Sequence, residues 1–211
     1  MMKIILVRHG ETEWNVAEIF RGRIDIELNG TGIKQAELLA EYLTNLKIDA
    51  IYSSPLKRAL RTAELIAGYQ ALKVNIARGL IDFDFGEWQG LSHQEVKDRY
   101  AELYKEWLSR PDQVRIPDGE TLEDVRQRAM AVVDDAVGRY GSGRVVLVSH
   151  RVVSKVLVCA LLGLDNSRFW NVKLDTGGIT RFSYEDGRYI LTGHNDTSFL
   201  KSIQKAPLAD F

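Results

Sequence analysis

Two short apolar segments constrain the fold of this chain more than any other feature of its sequence. They are Ile4–Val7 and Val145–Val148, and each is bounded by polar or charged residues. Both are shorter than the roughly 7 to 15 apolar residues of a signal peptide core and the about 20 of a membrane span. Continuous β-branched and aliphatic runs of this length are typical of strands buried on both faces of a parallel sheet.

Helical patterns and further short strands alternate with these two segments. Apolar residues at helical spacing predict helices from Ile33 to Leu46 and from Val152 to Leu162. Ser54-Pro55 predicts the N-cap and first residue of another helix. A capping box predicts a helix that starts after Ser92, and Thr121 with Asp124 predicts the start of another. The remaining predicted strands are Ala50–Tyr52, Val74–Ile76, Ile179–Tyr184 and Tyr189–Thr192, the last two joined by a turn at Asp186-Gly187.

This alternation predicts an α/β fold, a three-layer α/β/α sandwich with a mainly parallel sheet. No internal repeat or linker-like segment divides the 211 residues. We therefore expect residues 1–211 to form a single domain, in which residues 82–119 are an insertion or cap.

Charge and cysteine content exclude several classes of function. The 28 Lys and Arg residues nearly balance the 29 Asp and Glu residues, which gives a net charge of -1. We therefore expect neither nucleic acid nor a membrane as a partner, and any anion must bind to a local cluster of cations. The single cysteine, Cys159, cannot form an internal disulfide or a cysteine zinc site, and the expected compartment is the cytoplasm.

Histidine follows both apolar strands. His9 comes two residues after the first strand and His150 two residues after the second, although the chain has only 4 histidines. Ligands of parallel sheets bind at the carboxyl ends of the strands. The strand Ala50–Tyr52 leads into a helix that carries Arg58 and Arg61, so imidazoles and guanidiniums are expected at one edge of the sheet.

This combination of side chains indicates phosphoryl transfer. A neutral imidazole nitrogen is a competent nucleophile, and guanidinium groups match the oxygens of a transferring phosphoryl group. The departing oxygen also needs an acid. The spacing leaves four candidates for that acid, namely Glu11, Asp82, Asp84 and Glu87.

Several segments resemble the histidine phosphatase superfamily, the phosphoglycerate-mutase-like proteins. The signature block runs from Leu6 to Thr12 and continues with Trp14-Asn15. Further matching blocks follow in order as far as about Asn195, namely Gly22 to Ala36, Tyr52 to Ala59, Asp84 to Gly90, Asp118 to Thr121 and Val148 to His150.

The resemblance implies a role for each of these polar side chains. His9 would be the phosphorylated nucleophile, while Arg8, Arg58 and His150 would hold the phosphoryl oxygens. Asn15 and Thr12 would add hydrogen-bond donors to the same group. Because arginines and histidines carry the positive charge, the resemblance implies no metal ion.

Three positions depart from the pattern of the family. Asp82 stands at the position of the acid, where many relatives have glutamate, so Asp84 is an alternative. Arg151 stands where glycine or another small residue is common, and this extra cation favours a substrate with an anionic group. Phe199 stands where relatives often have histidine, and its role is not evident from the sequence.

The same four residues serve phosphatases and mutases. The modest distance from Asp82 to Gly119 leaves little room for a closing lid, which favours hydrolysis. The chain is closest in appearance to small bacterial phosphatases such as metal-independent phosphoserine phosphatases and α-ribazole-phosphate phosphatases. The predicted function is thus a phosphomonoesterase without cofactor that acts on a small phosphorylated metabolite, phosphoserine-like or of broad specificity, through phosphohistidine.

Two alternatives stay open. The first is a phosphoglycerate mutase that depends on 2,3-bisphosphoglycerate, and the second is a non-catalytic regulatory protein that binds a phosphorylated ligand. A homodimer is an assembly that the resemblance allows.

Overall fold

The computed structural model describes residues 1–203, which form one six-stranded sheet with helices packed against it. The strands are β1 (Met2–Arg8), β2 (Ala50–Ser53), β3 (Val74–Ile76), β4 (Arg144–Ser149), β5 (Ile179–Glu185) and β6 (Arg188–Asp196). The α-helices are α1 (Glu13–Val16), α2 (Gly30–Leu43), α3 (Lys57–Gln70), α4 (His93–Arg99), α5 (Ala101–Ser109), α6 (Leu122–Tyr140) and α7 (Arg151–Leu161). None of the helices in this part of the chain is long and apolar enough to cross a membrane.

The sheet is mainly parallel, as the sequence predicts. Its strand order is β3-β2-β4-β1-β5-β6, and the first four strands in that order run parallel to one another. Strands β5 and β6 are antiparallel additions at one edge. They are joined at Asp186 and Gly187, whose φ angles of 49° and 77° lie in the left-handed region that such a tight turn requires.

Both faces of the sheet are covered, which confirms the three-layer α/β/α sandwich. Successive side chains of a strand point to opposite faces. Ile4 and Leu6 accordingly pack with residues of α6 and α7, whereas Ile5 and Val7 pack with residues of α2 and α3. The two apolar strands of the sequence are therefore the central strands of the sheet.

The register of β1 and β4 determines where the two histidines lie. Arg8 is paired with Ser149, and the ladder continues with a hydrogen bond of 3.0 Å from the His9 amide to the Ser149 carbonyl. His9 and His150 therefore leave the sheet at the same level. The adjacent strand contributes Ser54, whose amide donates to the Val148 carbonyl at 3.0 Å.

The loop after β1 is packed closely against the start of α2. A Cβ atom on Gly10 would overlap the backbone of Gly32, so glycine is required for this approach. The Glu11 amide donates to Gln35 Oε1 at 2.8 Å, and the Asn29 side chain donates to Glu11 Oε1 at 2.9 Å. These contacts fix the backbone that follows His9.

The structure corrects two predictions of local structure and adds one helix. Ser54 is not a helix cap, because α3 begins at Lys57 and Leu56 occupies the N-cap position. The stretch between His9 and Gly30 contains a short helix, α1, whose N-cap is Thr12. The single helix predicted after Ser92 is two helices, α4 and α5, separated at Tyr100, where φ is -131° and ψ is 43°.

Aromatic side chains attach residues 82–119 to the rest of the domain. The indole of Trp107 is only 1% exposed, and its ring centroid lies 5.6 Å from that of Phe83 and 5.4 Å from that of Phe169. Trp170 donates from its indole nitrogen to the Trp107 carbonyl at 2.7 Å. The segment is thus packed onto the core, and its role as a cap stays a prediction.

We expect Trp107→Ala to lower the free energy of unfolding by about 3–5 kcal/mol, since it removes a buried aromatic ring and leaves a cavity. Urea titration followed by far-ultraviolet circular dichroism measures the change. The adjacent Leu108 is 43% exposed, so Leu108→Ala is a matched control and should cost less than about 1 kcal/mol. Equal losses in the two variants would contradict this account of how the segment is held.

Candidate active site

His9 lies at the carboxyl end of β1 and is fully buried. Its Nδ1 lies 2.6 Å from the Gly10 carbonyl, which can only accept a hydrogen bond. The proton of the neutral ring therefore resides on Nδ1, and Nε2 carries the lone pair. Nε2 is buried and has no hydrogen-bond partner among the described residues, so it is available as a nucleophile.

His150 lies beside His9 at the N-cap position of α7. The two ring centroids are 5.1 Å apart, and the planes meet at 61°. His150 Nε2 lies 2.7 Å from the Ser54 hydroxyl, which also accepts the Leu56 amide at 3.3 Å. We assign the hydroxyl proton to the bond with Nε2, an arrangement that leaves a proton on Nδ1 for donation into the site.

Burial keeps both imidazoles neutral. Loss of solvation lowers the pKa of His9 well below its usual value, and the charges of His150 and Arg58 lower it further. Loss of solvation also lowers the pKa of His150, with Arg58 as the next cause. The contact of 3.5 Å between His150 Nδ1 and Asp82 Oδ2 is therefore not a full ion pair.

Two buried arginines lie next to the imidazole pair. The Arg8 guanidinium donates to the Leu174 carbonyl, which holds this side chain at the end of β1. Arg58 on α3 is completely buried and donates to the carbonyls of Ile24 and Gly22 at 3.0 and 2.7 Å. Its Nη2 also lies 2.9 Å from Asp82 Oδ2, which makes a buried ion pair.

The structure separates the four candidate acids. Asp82 is 4% exposed and contacts both Arg58 and His150. Glu11 accepts from Asn29, and Glu87 accepts from the Tyr100 hydroxyl at 2.8 Å. Asp84 is paired with Arg23 at 3.1 Å in an outer loop network. Of the four, only Asp82 is placed against the imidazole pair.

Thr12 and Asn15 are buried together in the capping box of α1. The Thr12 hydroxyl donates to Asn15 Oδ1 at 2.9 Å, and the Thr12 amide donates to the same oxygen at 2.9 Å. The side-chain NH₂ group of Asn15 remains available to donate a hydrogen bond to a ligand. The hydroxyl proton of Thr12 is already engaged, and a contact from Thr12 to substrate stays a prediction.

Three other positions singled out in the sequence lie on α7, on α3 and near the end of the described residues. Arg151 is the first residue of α7, one residue after His150. Arg61 is exposed and pairs with Glu64 on the surface of α3. Phe199 stacks on the Tyr42 ring with centroids 4.9 Å apart, so it contributes to packing.

Two residues of this site were not predicted from the sequence. Ser54 gave a misleading signal, because Ser-Pro is a common helix start, whereas its hydroxyl contacts His150. Arg21 lies in a stretch without periodicity, and its charge helps to lower the pKa of His9 and of His150. The one signal for Arg21 was its position directly before Gly22, where the resemblance to the family continues.

The arrangement is suited to phosphoryl transfer through nitrogen. It combines a neutral nucleophilic nitrogen, guanidinium and imidazole donors, and one carboxyl group at the same edge of the sheet. Within residues 1–203 no group of three or more His, Cys, Asp or Glu side chains has the arrangement of a metal site.

Comparison with known proteins agrees with this chemistry. The profile of the histidine phosphatase superfamily (branch 1) matches residues 4–197. Phosphoserine phosphatase 1 of Hydrogenobacter thermophilus is 38% identical over 200 residues, which is 95% of each chain.

Two solved structures show the same fold. Phosphoserine phosphatase from Entamoeba histolytica, a mutant in complex with phosphoserine, is 34% identical and has a TM-score of 0.86 over 95% of this chain and 100% of that one. YhfR of Bacillus stearothermophilus is 29% identical, with a TM-score of 0.91 over the same shares. The chain therefore belongs to branch 1 of the histidine phosphatase superfamily and is an enzyme of that family, a phosphatase or a mutase.

Proposed function

We propose that the protein is a metal-independent phosphomonoesterase that hydrolyses a small phosphorylated metabolite through a phosphohistidine at His9. The observation that carries this proposal is the state of the His9 ring. Its Nδ1 is bound to the Gly10 carbonyl, and its buried Nε2 has no hydrogen-bond partner in residues 1–203. A nucleophile in this state needs no base to activate it.

The first step transfers the phosphoryl group to His9. The Nε2 lone pair attacks phosphorus, and the bond from phosphorus to the ester oxygen breaks. Arg8, Arg58 and His150 stabilise the charge on the three equatorial oxygens, and the amide of Asn15 adds a donor. The phosphoryl group competes with Asp82 for Arg58, which now holds that carboxylate at 2.9 Å.

Asp82 then serves as the acid. The carboxyl proton of Asp82 passes to the departing oxygen as the ester bond breaks. In the second step Asp82 accepts a proton from water as the water attacks the phosphohistidine. The bond between phosphorus and nitrogen breaks, its electron pair returns to Nε2, and inorganic phosphate leaves.

The related phosphoserine phosphatases support a small carboxylated ester as substrate. The Entamoeba histolytica structure contains phosphoserine, and it matches 95% of this chain. We therefore propose phosphoserine-like substrates, with broader specificity for other small phosphomonoesters as the alternative.

Specific observations count against each of the two alternative functions, a non-catalytic regulatory protein and a mutase. A regulatory protein without activity would not need a neutral, unpartnered nucleophile, yet His9 has this state. A mutase must exclude water from its phosphohistidine. In residues 82–119 the elements that would cover the phosphohistidine are two short helices, α4 and α5. Because so small a cover excludes water poorly, it supports hydrolysis.

We expect His9→Ala to reduce kcat/KM for phenyl phosphate by at least about 10⁴-fold, because the covalent route requires this nitrogen. The assay measures released inorganic phosphate in excess chelator. Wild-type activity should persist in the chelator and should give an acid-labile, alkali-stable phosphoenzyme after rapid quenching. The exposed residue Lys34 pairs only with Glu37 on α2, so Lys34→Ala is the control. Loss of wild-type activity in chelator would overturn metal independence, and activity in His9→Ala would overturn the nucleophile.

We expect Asp82→Asn to lower kcat/KM, which reports phosphorylation of His9, by about 10²- to 10⁴-fold for alkyl phosphates, since these leaving groups need a proton. The loss should be much smaller for p-nitrophenyl phosphate, whose leaving group departs as an anion. Asp84→Asn is the matched control and should alter neither rate by more than about threefold, because Asp84 contacts Arg23 in the outer loop. If the loss of activity depended on the leaving group in Asp84→Asn and not in Asp82→Asn, the acid would be Asp84.

Hydrolysis and mutase activity differ in their products. With 3-phosphoglycerate and catalytic 2,3-bisphosphoglycerate we expect free phosphate to accumulate faster than 2-phosphoglycerate, because water reaches the phosphohistidine. Quantitative ³¹P nuclear magnetic resonance follows all three species. Rapid interconversion of the phosphoglycerates with little free phosphate would identify a mutase.

A further inference from the structure

A carboxylate outside the imidazole pair holds the side chain of Arg128. Glu120 belongs to the block from Asp118 to Thr121, to which the proposed reaction assigns no role, and its side chain is only 16% exposed. Arg128 donates from Nε to Glu120 Oε1 at 2.9 Å and from Nη2 to Oε2 at 3.0 Å. Two parallel bonds of this kind fix the plane of the guanidinium.

The rest of the Arg128 guanidinium faces the segment that carries Asp82. Its Nη1 donates to the carbonyls of Gly79 and Ile81 at 2.7 and 2.6 Å, and its Nη2 donates to the Asp82 carbonyl at 3.1 Å. Together with the two bonds to Glu120, these contacts use all five N–H groups of the side chain. One guanidinium therefore connects a fixed carboxylate to the backbone of the acid.

The carbonyls from Gly79 to Asp82 are bound by side chains. The Leu80 carbonyl, which Arg128 does not reach, accepts from the Ser149 hydroxyl at 2.7 Å. Backbone carbonyls that are removed from water need such donors, because an irregular segment has no ladder to supply them. Arg128 and Ser149 together therefore determine the path of the chain that leads to the carboxyl group.

Helix α6 brings Arg128 directly against this segment. A Cβ atom on Gly79 would overlap the Arg128 carbonyl, so the helix backbone and the segment are in close contact. The N-cap of the same helix is Thr121, the residue that follows Glu120. The start of α6 thus fixes both partners of the bidentate pair.

The position of the Asp82 carboxyl follows closely from its backbone. Aspartate has one methylene fewer than glutamate, so its side chain has fewer torsions with which to correct a displaced backbone. Oδ2 lies 2.9 Å from Arg58 Nη2 and 3.5 Å from His150 Nδ1, and Oδ1 accepts the Phe83 amide at 2.9 Å. A general acid must lie within hydrogen-bond reach of the oxygen that it protonates, and a displacement of about 1 Å can cost about 10²-fold in rate.

We propose that Arg128, oriented by Glu120, is a positioning residue for the acid Asp82. It acts through the carbonyls of residues 79–82 and does not touch the substrate. This inference rests on the proposed phosphatase function and adds to it the contact that keeps the acid within reach of the departing oxygen.

The test compares two substrates whose leaving groups differ in their need for a proton. Arg128→Gln should lower kcat/KM for β-glycerophosphate by about 10- to 10²-fold, because a displaced carboxyl group protonates the alkoxide poorly. The loss for p-nitrophenyl phosphate should stay within about threefold, because nitrophenolate departs without a proton. Release of inorganic phosphate measures both rates.

A double variant separates positioning of the acid from general damage to the site. If Arg128 acts through the Asp82 carboxyl, adding Arg128→Gln to Asp82→Asn should change kcat/KM for β-glycerophosphate by less than about threefold, since the acid is already absent. General damage would instead slow the double variant by the same factor as the single variant.

Two milder variants and a control complete the design. Arg128→Lys keeps the charge but has three donors, so its rates should lie between those of the wild type and Arg128→Gln. Glu120→Gln loses half of the bidentate pair and should show the same dependence on the leaving group with a smaller loss. Arg126→Gln is the matched control on α6, because Arg126 donates to the Leu164 carbonyl at 2.7 Å, and both of its rates should stay within about threefold of the wild type. Thermal unfolding identifies the folded variants, and the two milder ones decide the outcome if Arg128→Gln does not fold.

Other results would overturn the proposal. It is wrong if Arg128→Gln slows both substrates by the same factor, slows neither, or slows Asp82→Asn as much as it slows the wild type. Failure of the proposed function is distinguishable, because then His9→Ala retains activity or Asp82→Asn itself shows no dependence on the leaving group.

Discussion

The hydrogen bond from the His9 amide to the Ser149 carbonyl extends the β1–β4 ladder beyond the paired strands, and the site depends on it. Parallel strands in register end at the same level, so the residues that follow them become neighbours. A shift of one residue between β1 and β4 would reverse the faces of Ile4 to Val7 and separate the imidazoles. The burial of these strands on both faces makes such a shift costly. Hydrophobic packing thereby fixes the distance between the two imidazoles, although the apolar side chains take no part in the chemistry.

The chemistry requires groups that destabilise the fold. Arg58 is completely buried. Hydrogen bonds to two backbone carbonyls and the ion pair with Asp82 compensate for the lost solvation of its charge. Burying charged groups costs several kcal/mol each even when they are paired. The aromatic core around Trp107 and the aliphatic layers on both faces of the sheet offset this cost. Residues 82–119 thus have two functions in our account, since they stabilise the domain and carry Asp82 into the site.

The sequence was sufficient to predict the fold and the juxtaposition of His9 and His150 because both follow from local patterns. Four consecutive apolar residues predict a buried strand. A histidine follows each of two such strands, which predicts that the two histidines lie together at one edge of the sheet. The acid could not be predicted in this way, since Glu11, Asp82, Asp84 and Glu87 are equivalent until their partners are known. Asn29 and Tyr100 occupy two of these carboxylates, and such tertiary contacts have no local signature.

Ser54 and Arg21 show two different limits of sequence analysis. The Ser-Pro pair carries a real helix-start signal, but the contact of its hydroxyl with His150 outweighs local capping, and α3 begins three residues later at Lys57. Arg21 belongs to a loop in which no periodic pattern distinguishes a buried cation from an exposed one. Its position becomes evident only when Phe20 is seen against His93 and Gly22 against Arg58.

The distribution of carboxylates explains how a chain of net charge -1 keeps a cationic site. Asp84 is held by Arg23, and Glu11 is held by Asn29, so neither can move to neutralise the guanidiniums beside His9. Asp82 is the exception, and it is paired with the guanidinium that the phosphoryl group would claim. In the proposed mechanism, substrate binding exchanges one anion for another at Arg58 and frees the Asp82 carboxyl group to act as the acid.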